Sequence, residues 1–192
     1  MTPYERYVRT FPEGVKGDLI GGEAIIDMSI TKIHEQIQAF LLSVLRLYVR
    51  EKGLGEVLGS KTTMRVDDEN GYEPDVFFLS KDRLDTFGTK DIRGPVDVAV
   101  EIVSPSSGKR DRVTKFEGYE RVGVSEYWLI DPERREAVFY RLDEGTYKAV
   151  PLSGGVFESA AVPGFRLDPQ VLFQDPLPSE FEMLQRLLGG EV

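Results

Sequence analysis

The sequence has no cysteine in its 192 residues, one histidine and one tryptophan, and Asn70 is its single asparagine. The missing cysteine rules out a disulfide framework, a thiolate zinc site and a cysteine nucleophile, and it suits a reducing compartment. Scarcity of cysteine and asparagine together is also a weak sign of a heat-adapted source. With His34 alone, no paired-histidine metal motif can be written. No apolar run approaches the ~20 residues that a membrane span needs, and the opening MTPYERYVRT lacks the apolar stretch of a signal peptide. The expectation is a soluble, cytoplasmic chain with no membrane partner. Basic residues are in deficit, 24 Lys and Arg against 33 Asp and Glu, for a net charge of −9. That is the wrong sign for holding nucleic acid by a broad basic face. Internal repeats, a Gly-rich phosphate loop and a serine elbow are absent as well.

What is present is enough for one complete core, with 41% hydrophobic and 30% charged residues. The chain is read as a single domain over 1–192. A loosely held polar arm covers 1–14, a core 15–152, and an irregular tail 153–192 ends in an amphipathic helix at 180–188. Lys16 to Leu19 and Glu23 to Met28 form an N-terminal hairpin about Gly21-Gly22. Ser29 or Thr31 caps a helix whose apolar positions Ile30, Ile33, Ile37, Phe40, Leu41, Val44, Leu45 and Tyr48 recur at three and four, ending near Gly53. Short strands follow at Glu56–Leu58, Lys61–Val66 and Asp75–Leu79. Asp97-Val-Ala-Val-Glu-Ile-Val103 is apolar almost throughout, as in a strand covered on both faces. Residues 126–131, 136–142 and 147–152 make a β-meander.

The chemistry concentrates between Tyr72 and Asp131. Pro74 fixes the approach to a strand that opens on Asp75. Glu101 stands inside the apolar strand, where a carboxylate must be paired, metal-bound or protonated. After the turn Ser104-Pro-Ser-Ser-Gly108, Asp111, Lys115 and Tyr119 fall on one helical face. A helix that starts there can fold back over the strand end and deliver Lys115 to Glu101. An aspartate and a glutamate on neighbouring strands, with an ammonium nearby, are what a magnesium-dependent phosphodiester hydrolase requires. Each residue also has a plainer reading. Asp75 can be a strand-end turn residue, Glu101 half of a buried salt bridge and Lys115 an i,i+4 partner of Asp111. His34 can be an ordinary half-buried helical histidine, and Glu23 a surface charge.

Taken together, Gly22-Glu23, His34, Glu73-Pro74-Asp75, Val100-Glu101-Ile-Val-Ser104-Pro105-Ser106, Asp111, Lys115 and Gly123-Val-Ser-Glu126-Tyr127-Trp128-Leu-Ile-Asp131-Pro132 resemble the Uma-type family of putative restriction endonucleases. That family lies within the PD-(D/E)XK nuclease superfamily. The resemblance covers roughly residues 14–175. It implies a restriction-endonuclease-like α/β fold, a central mixed β-sheet flanked by helices, and hydrolysis of nucleic-acid phosphodiester bonds, DNA foremost. It also implies Mg²⁺ or Mn²⁺ held by Asp75, Glu101 and the carbonyl of Ile102, with Lys115 as the catalytic lysine and His34 assisting. The superfamily's usual lysine two residues past the glutamate is Val103 here, and Lys115 matches the relocated lysine of the family. Cutting two strands favours a homodimer. The competing expectation is a non-catalytic binding or scaffold protein on the same frame.

Overall fold

In the computed structural model, which describes residues 1–26, 31–59 and 61–190, the chain opens with helix α1 (Pro3–Thr10). Thr2 Oγ1 accepts the Glu5 N–H at 3.2 Å and the Glu5 carboxylate accepts the Thr2 N–H at 2.8 Å. This reciprocal cap is written in the sequence as Thr-x-x-Glu, with Pro3 at the first helical position. Tyr4 and Tyr7 are buried on one face, and the Tyr7 hydroxyl donates to the Gly17 carbonyl at 2.8 Å. The expected loose arm over residues 1–14 is therefore corrected. Polar composition masked two tyrosines one turn apart, and their burial ties the segment to the hairpin behind it.

That hairpin pairs β1 (Gly17–Ile20) with β2 (Glu23–Ile26) through Gly21 and Gly22, at φ 57° and 82°, a left-handed turn that glycine takes without strain. Helix α2 (Lys32–Lys52) begins at Thr31, whose hydroxyl accepts the His34 N–H at 3.3 Å. It buries the apolar stripe from Ile37 to Tyr48. The hairpin's expected extension to Met28, the alternative cap Ser29 and the apolar position Ile30 lie outside the described residues, as does Ser60.

Next come β3 (Gly55–Gly59), β4 (Thr63–Arg65), β5 (Gly71–Tyr72), β6 (Val76–Ser80), a 3₁₀ turn at Lys81–Thr86, β7 (Asp91–Ile92) and β8 (Val98–Ile102). Residues Arg110–Lys115 wind at the wider π pitch and run on into α3 (Phe116–Val122). The meander is β9 (Glu126–Asp131), β10 (Glu136–Asp143) and β11 (Thr146–Ala149). The tail holds β12 (Phe157–Glu158), β13 (Arg166–Leu167), a 3₁₀ turn at Pro169–Phe173 and α4 (Glu180–Gly189).

Six strands form a mixed sheet in the order β11-β10-β9-β8-β6-β3, with β8 and β9 parallel and the other pairs antiparallel. Pleating sends Val98, Val100 and Ile102 to one face, against Phe40, Leu41 and Val44 of α2. Ala99 turns to the other, against Tyr119 of α3 and Tyr72 of β5. Strand β8 is thus covered on both sides, as its unbroken apolar run requires. Part of the second cover is itself a sheet, β2-β1-β5-β4-β7. Its hairpin and the strand expected at Lys61–Val66 are legible in the sequence, but β5 and β7, with two residues each, are too short to show a period of two. Helix α3 closes tightly on it at Gly118, where a Cβ would lie 2.4 Å from Tyr72 Cε2.

The tail is irregular in path, yet it completes the core. Phe157 stacks on Phe139 at 3.8 Å between centroids, and both Phe157 and Phe165 pack on Trp128. Helix α4 buries Met183, Leu184 and Leu187 in the cluster that holds the α2 stripe. Among the described residues, no helix is long and apolar enough to cross a membrane.

Candidate active site

The β6–β8 ladder pairs Val76 with Val100 and Phe77 with Ala99, a register that sets Asp75 across from Glu101 on one face of the sheet. The Asp75 N–H donates to the Val100 carbonyl at 3.0 Å. Ile102, past the start of β6, lines the same cavity as both carboxylates. Asp75 Oδ2 accepts the Ile102 N–H at 2.7 Å and lies 3.2 Å from His34 Nε2, while Oδ1 pairs with the Lys16 ammonium. Gln38, one turn beyond His34, donates to the Asp75 carbonyl at 2.8 Å. The Thr31 cap fixes where α2 starts and thereby where His34 points. Burial pushes the Asp75 carboxyl up, but Lys16 and His34 outweigh it and hold the group well below the usual carboxylate range.

Glu101 is 2% exposed, and its Oε1 accepts from Lys115 Nζ at 2.9 Å and from the Tyr119 hydroxyl at 2.6 Å. Its pKa is pushed up to about 8 by burial, which, with the charges of Asp75 and Asp111, prevails over Lys115. Two facing carboxylates are thus driven apart, one ionised and the other holding a proton near neutrality.

Lys115 ends the π-wound segment that also carries Asp111, a local geometry often associated with function. Its ammonium sits 3.1 Å from Asp18 Oδ2 and 4.0 Å from Asp111 Oδ1, and Arg110 Nε lies 3.2 Å from the same Asp18 oxygen. Burial works against the charged amine, but Asp18, Glu101 and Asp111 together raise its pKa well above the ordinary lysine value. Asp111 Oδ1 is buried with no hydrogen-bond partner, and burial raises the pKa of its carboxyl.

Lys16, His34, Asp75, Glu101, Ile102, Asp111 and Lys115 all line one cavity of ≈ 10 Å³. The structure therefore brings together His34, Asp75, Glu101, Ile102 and Lys115, and Asp111 with them. Glu23 is exposed on β2 and is not part of the lining. The sequence reading missed Lys16, Asp18 and Arg110, and it set Tyr119 on the helical face of Lys115 without a role. For the first two a signal existed, since Lys16 and Asp18 alternate about Gly17 on the inward side of the hairpin, at the period of a strand.

Among the described residues, no three histidine or acidic side chains are gathered closely enough to hold a metal ion unaided. Two carboxylates and a main-chain carbonyl nevertheless suit a hard cation that keeps several of its waters. The unpartnered oxygen of Asp111 in the same cavity is a further acceptor of the kind such waters bind.

Residues 2–170 match the family model Uma2, described as putative restriction endonuclease. No curated protein matches the sequence. Among solved structures, one described as a putative nuclease belonging to DUF820 from Anabaena variabilis ATCC 29413 aligns with a TM-score of 0.74. It is 17% identical, and the alignment covers 90% of this chain and 97% of that one, a likeness of fold. Because the match runs through both sheets and every residue lining the cavity, the chain belongs to the Uma2 family of putative restriction endonucleases.

Proposed function

We propose that the chain is a metal-dependent endonuclease that hydrolyses phosphodiester bonds of DNA, acting in the cytoplasm as a homodimer. The observation that carries this reading is the pair of buried carboxylates, Asp75 and Glu101, set opposite one another by strand register with Lys115 2.9 Å from Glu101. Asp75, Glu101 and the Ile102 carbonyl would hold Mg²⁺ or Mn²⁺. Bound there, the ion supplies Lewis-acid stabilisation of the phosphoryl oxygens and a lowered pKa for the attacking water. The protein supplies the positioning. The Ile102 N–H and His34 fix the Asp75 carboxylate in the plane it needs, and Tyr119 does the same for Glu101. Lys115 stays charged and places a fixed positive group beside the reacting phosphate. Gripped by Asp18 and Glu101, it acts as an electrostatic stabiliser and not as a base.

A second reading, a non-catalytic binding protein on the nuclease frame, draws on the ion pairing of Asp75 and Glu101 and on the net charge of −9. Cleavage assays on single- and double-stranded DNA and RNA, with Mg²⁺ and with Mn²⁺, separate the two. The nuclease reading expects metal-dependent cleavage that Asp75→Asn and Glu101→Gln abolish. Binding without cleavage on every substrate would favour the scaffold.

A further inference from the structure

Asp75 and Glu101 each carry an ammonium group, but the two lysines are held in different ways. Lys115 is 1% exposed and extends from a helical segment into Asp18 and Glu101, which leaves it no route out. Lys16 stands one residue ahead of β1, on a stretch without regular structure, and its side chain is 10% exposed. Among the described residues its one ion pair is with Asp75. Its head group lies in the cavity that Asp75, Glu101 and Ile102 line, and the ≈ 10 Å³ left over is room for about one water. A divalent ion seated on Asp75 would contend with that ammonium for the same carboxylate oxygen.

We propose that Lys16 is the resident counter-ion of Asp75, standing where the divalent cation binds and exchanging with it when the site loads. This rests on the metal-dependent reading above and adds what the site does before the ion arrives. Without a divalent cation the Asp75 carboxylate is a buried charge, and the Lys16 ammonium offsets the cost of that burial until the ion arrives. The same contact makes metal binding a competition, so the protein's affinity for the ion is lower than its oxygen donors alone would give.

The test uses the intact chain without nucleic acid and follows Mn²⁺ binding by calorimetry and thermal unfolding. Lys16→Met and Lys16→Gln should each bind Mn²⁺ about tenfold more tightly than the parent, and Mn²⁺ should raise their unfolding temperatures by more. Asp75→Asn should remove binding in either background. Equal or weaker affinity in the Lys16 variants, with Asp75-dependent binding in the parent, overturns the exchange and leaves the metal site standing. Failure of parent and Lys16 variants alike to bind Mn²⁺ would sink the metal-dependent reading itself. Reductive methylation of the unaltered protein, read by mass spectrometry, covers the case in which the variants do not fold. Mg²⁺ should speed modification of Lys16 about fivefold while Lys115 stays protected, whereas an unchanged or slower rate at Lys16 overturns the proposal.

Discussion

The Lys115 ammonium touches Asp18 and Glu101 and lies 4.0 Å from Asp111, all of them buried. On an exposed helix an Asp111–Lys115 pair would be worth about 0.5 kcal/mol. Here Lys115→Ala removes the buried ammonium that Asp18, Glu101 and Asp111 share and leaves Asp18 to Arg110 alone, and it should cost about 3–5 kcal/mol of stability as well as turnover. Denaturant unfolding of the variant beside the parent measures this, and a loss under 1 kcal/mol would mean that water reaches the cluster freely. The two carboxylates differ in the same way. Glu101→Gln resembles the protonated form that Glu101 already favours and should leave folding intact, whereas Asp75→Asn strips Lys16 of its partner and should cost about 2 kcal/mol. The candidate residues were legible in the sequence because Asp75, Glu101 and Lys115 each break a local pattern: a turn acid before a strand, a charge inside an apolar run, a lysine on a helix after it. Asp18 and Tyr119 break none. An acid on a hairpin strand and a tyrosine on an amphipathic helix are ordinary until tertiary packing brings them to Glu101.

At the level of elements, α2, the hairpin, β8 and the meander show their periodicity plainly, and the structure forms them within a few residues of where the pattern put them. Of the smaller sheet, the hairpin and the Lys61–Val66 stretch that holds β4 were legible, whereas β5 and β7 did not show, because pairs of residues carry no period. Helix α1 had its signal in Thr2 and Glu5, outweighed by the polar composition around them. Breaking that cap with Thr2→Ala should cost about 1 kcal/mol, seen as a lower unfolding midpoint with the cavity residues untouched. The contact between α3 and β5 has more bearing on the site. Gly118→Ala would put a methyl group 2.4 Å from the Tyr72 ring, so α3 must move outward. Since α3 continues the segment that carries Lys115, the variant should lose activity as well as stability, unlike Thr2→Ala. Equal behaviour of the two variants in a cleavage assay would separate α3 packing from the chemistry.

For the whole molecule, the buried site writes itself into the pH dependence of folding. Glu101 titrates at about 8 in the folded chain, against an ordinary value of 4.5, because burial and the facing Asp75 and Asp111 charges disfavour its ionised form. The folded protein therefore holds that proton more tightly than the unfolded one. The stability it confers is complete below pH 4.5 and is lost progressively as pH rises toward 8, by as much as about 1.4 kcal/mol per unit. Asp75 has the opposite sign, its depressed pKa contributing stability at neutral pH that is lost only as pH falls below the ordinary carboxylate range. Between pH 5 and 8 the Glu101 effect stands alone of the two, and Glu101→Gln cancels it, since glutamine is neutral throughout. Urea unfolding of parent and Glu101→Gln at pH 5, 6.5 and 8 should show the variant gaining on the parent as pH rises. A difference that stays constant across those three values would mean that Glu101 ionises as freely as a surface glutamate, and the tension between the two carboxylates would then be absent from the protein.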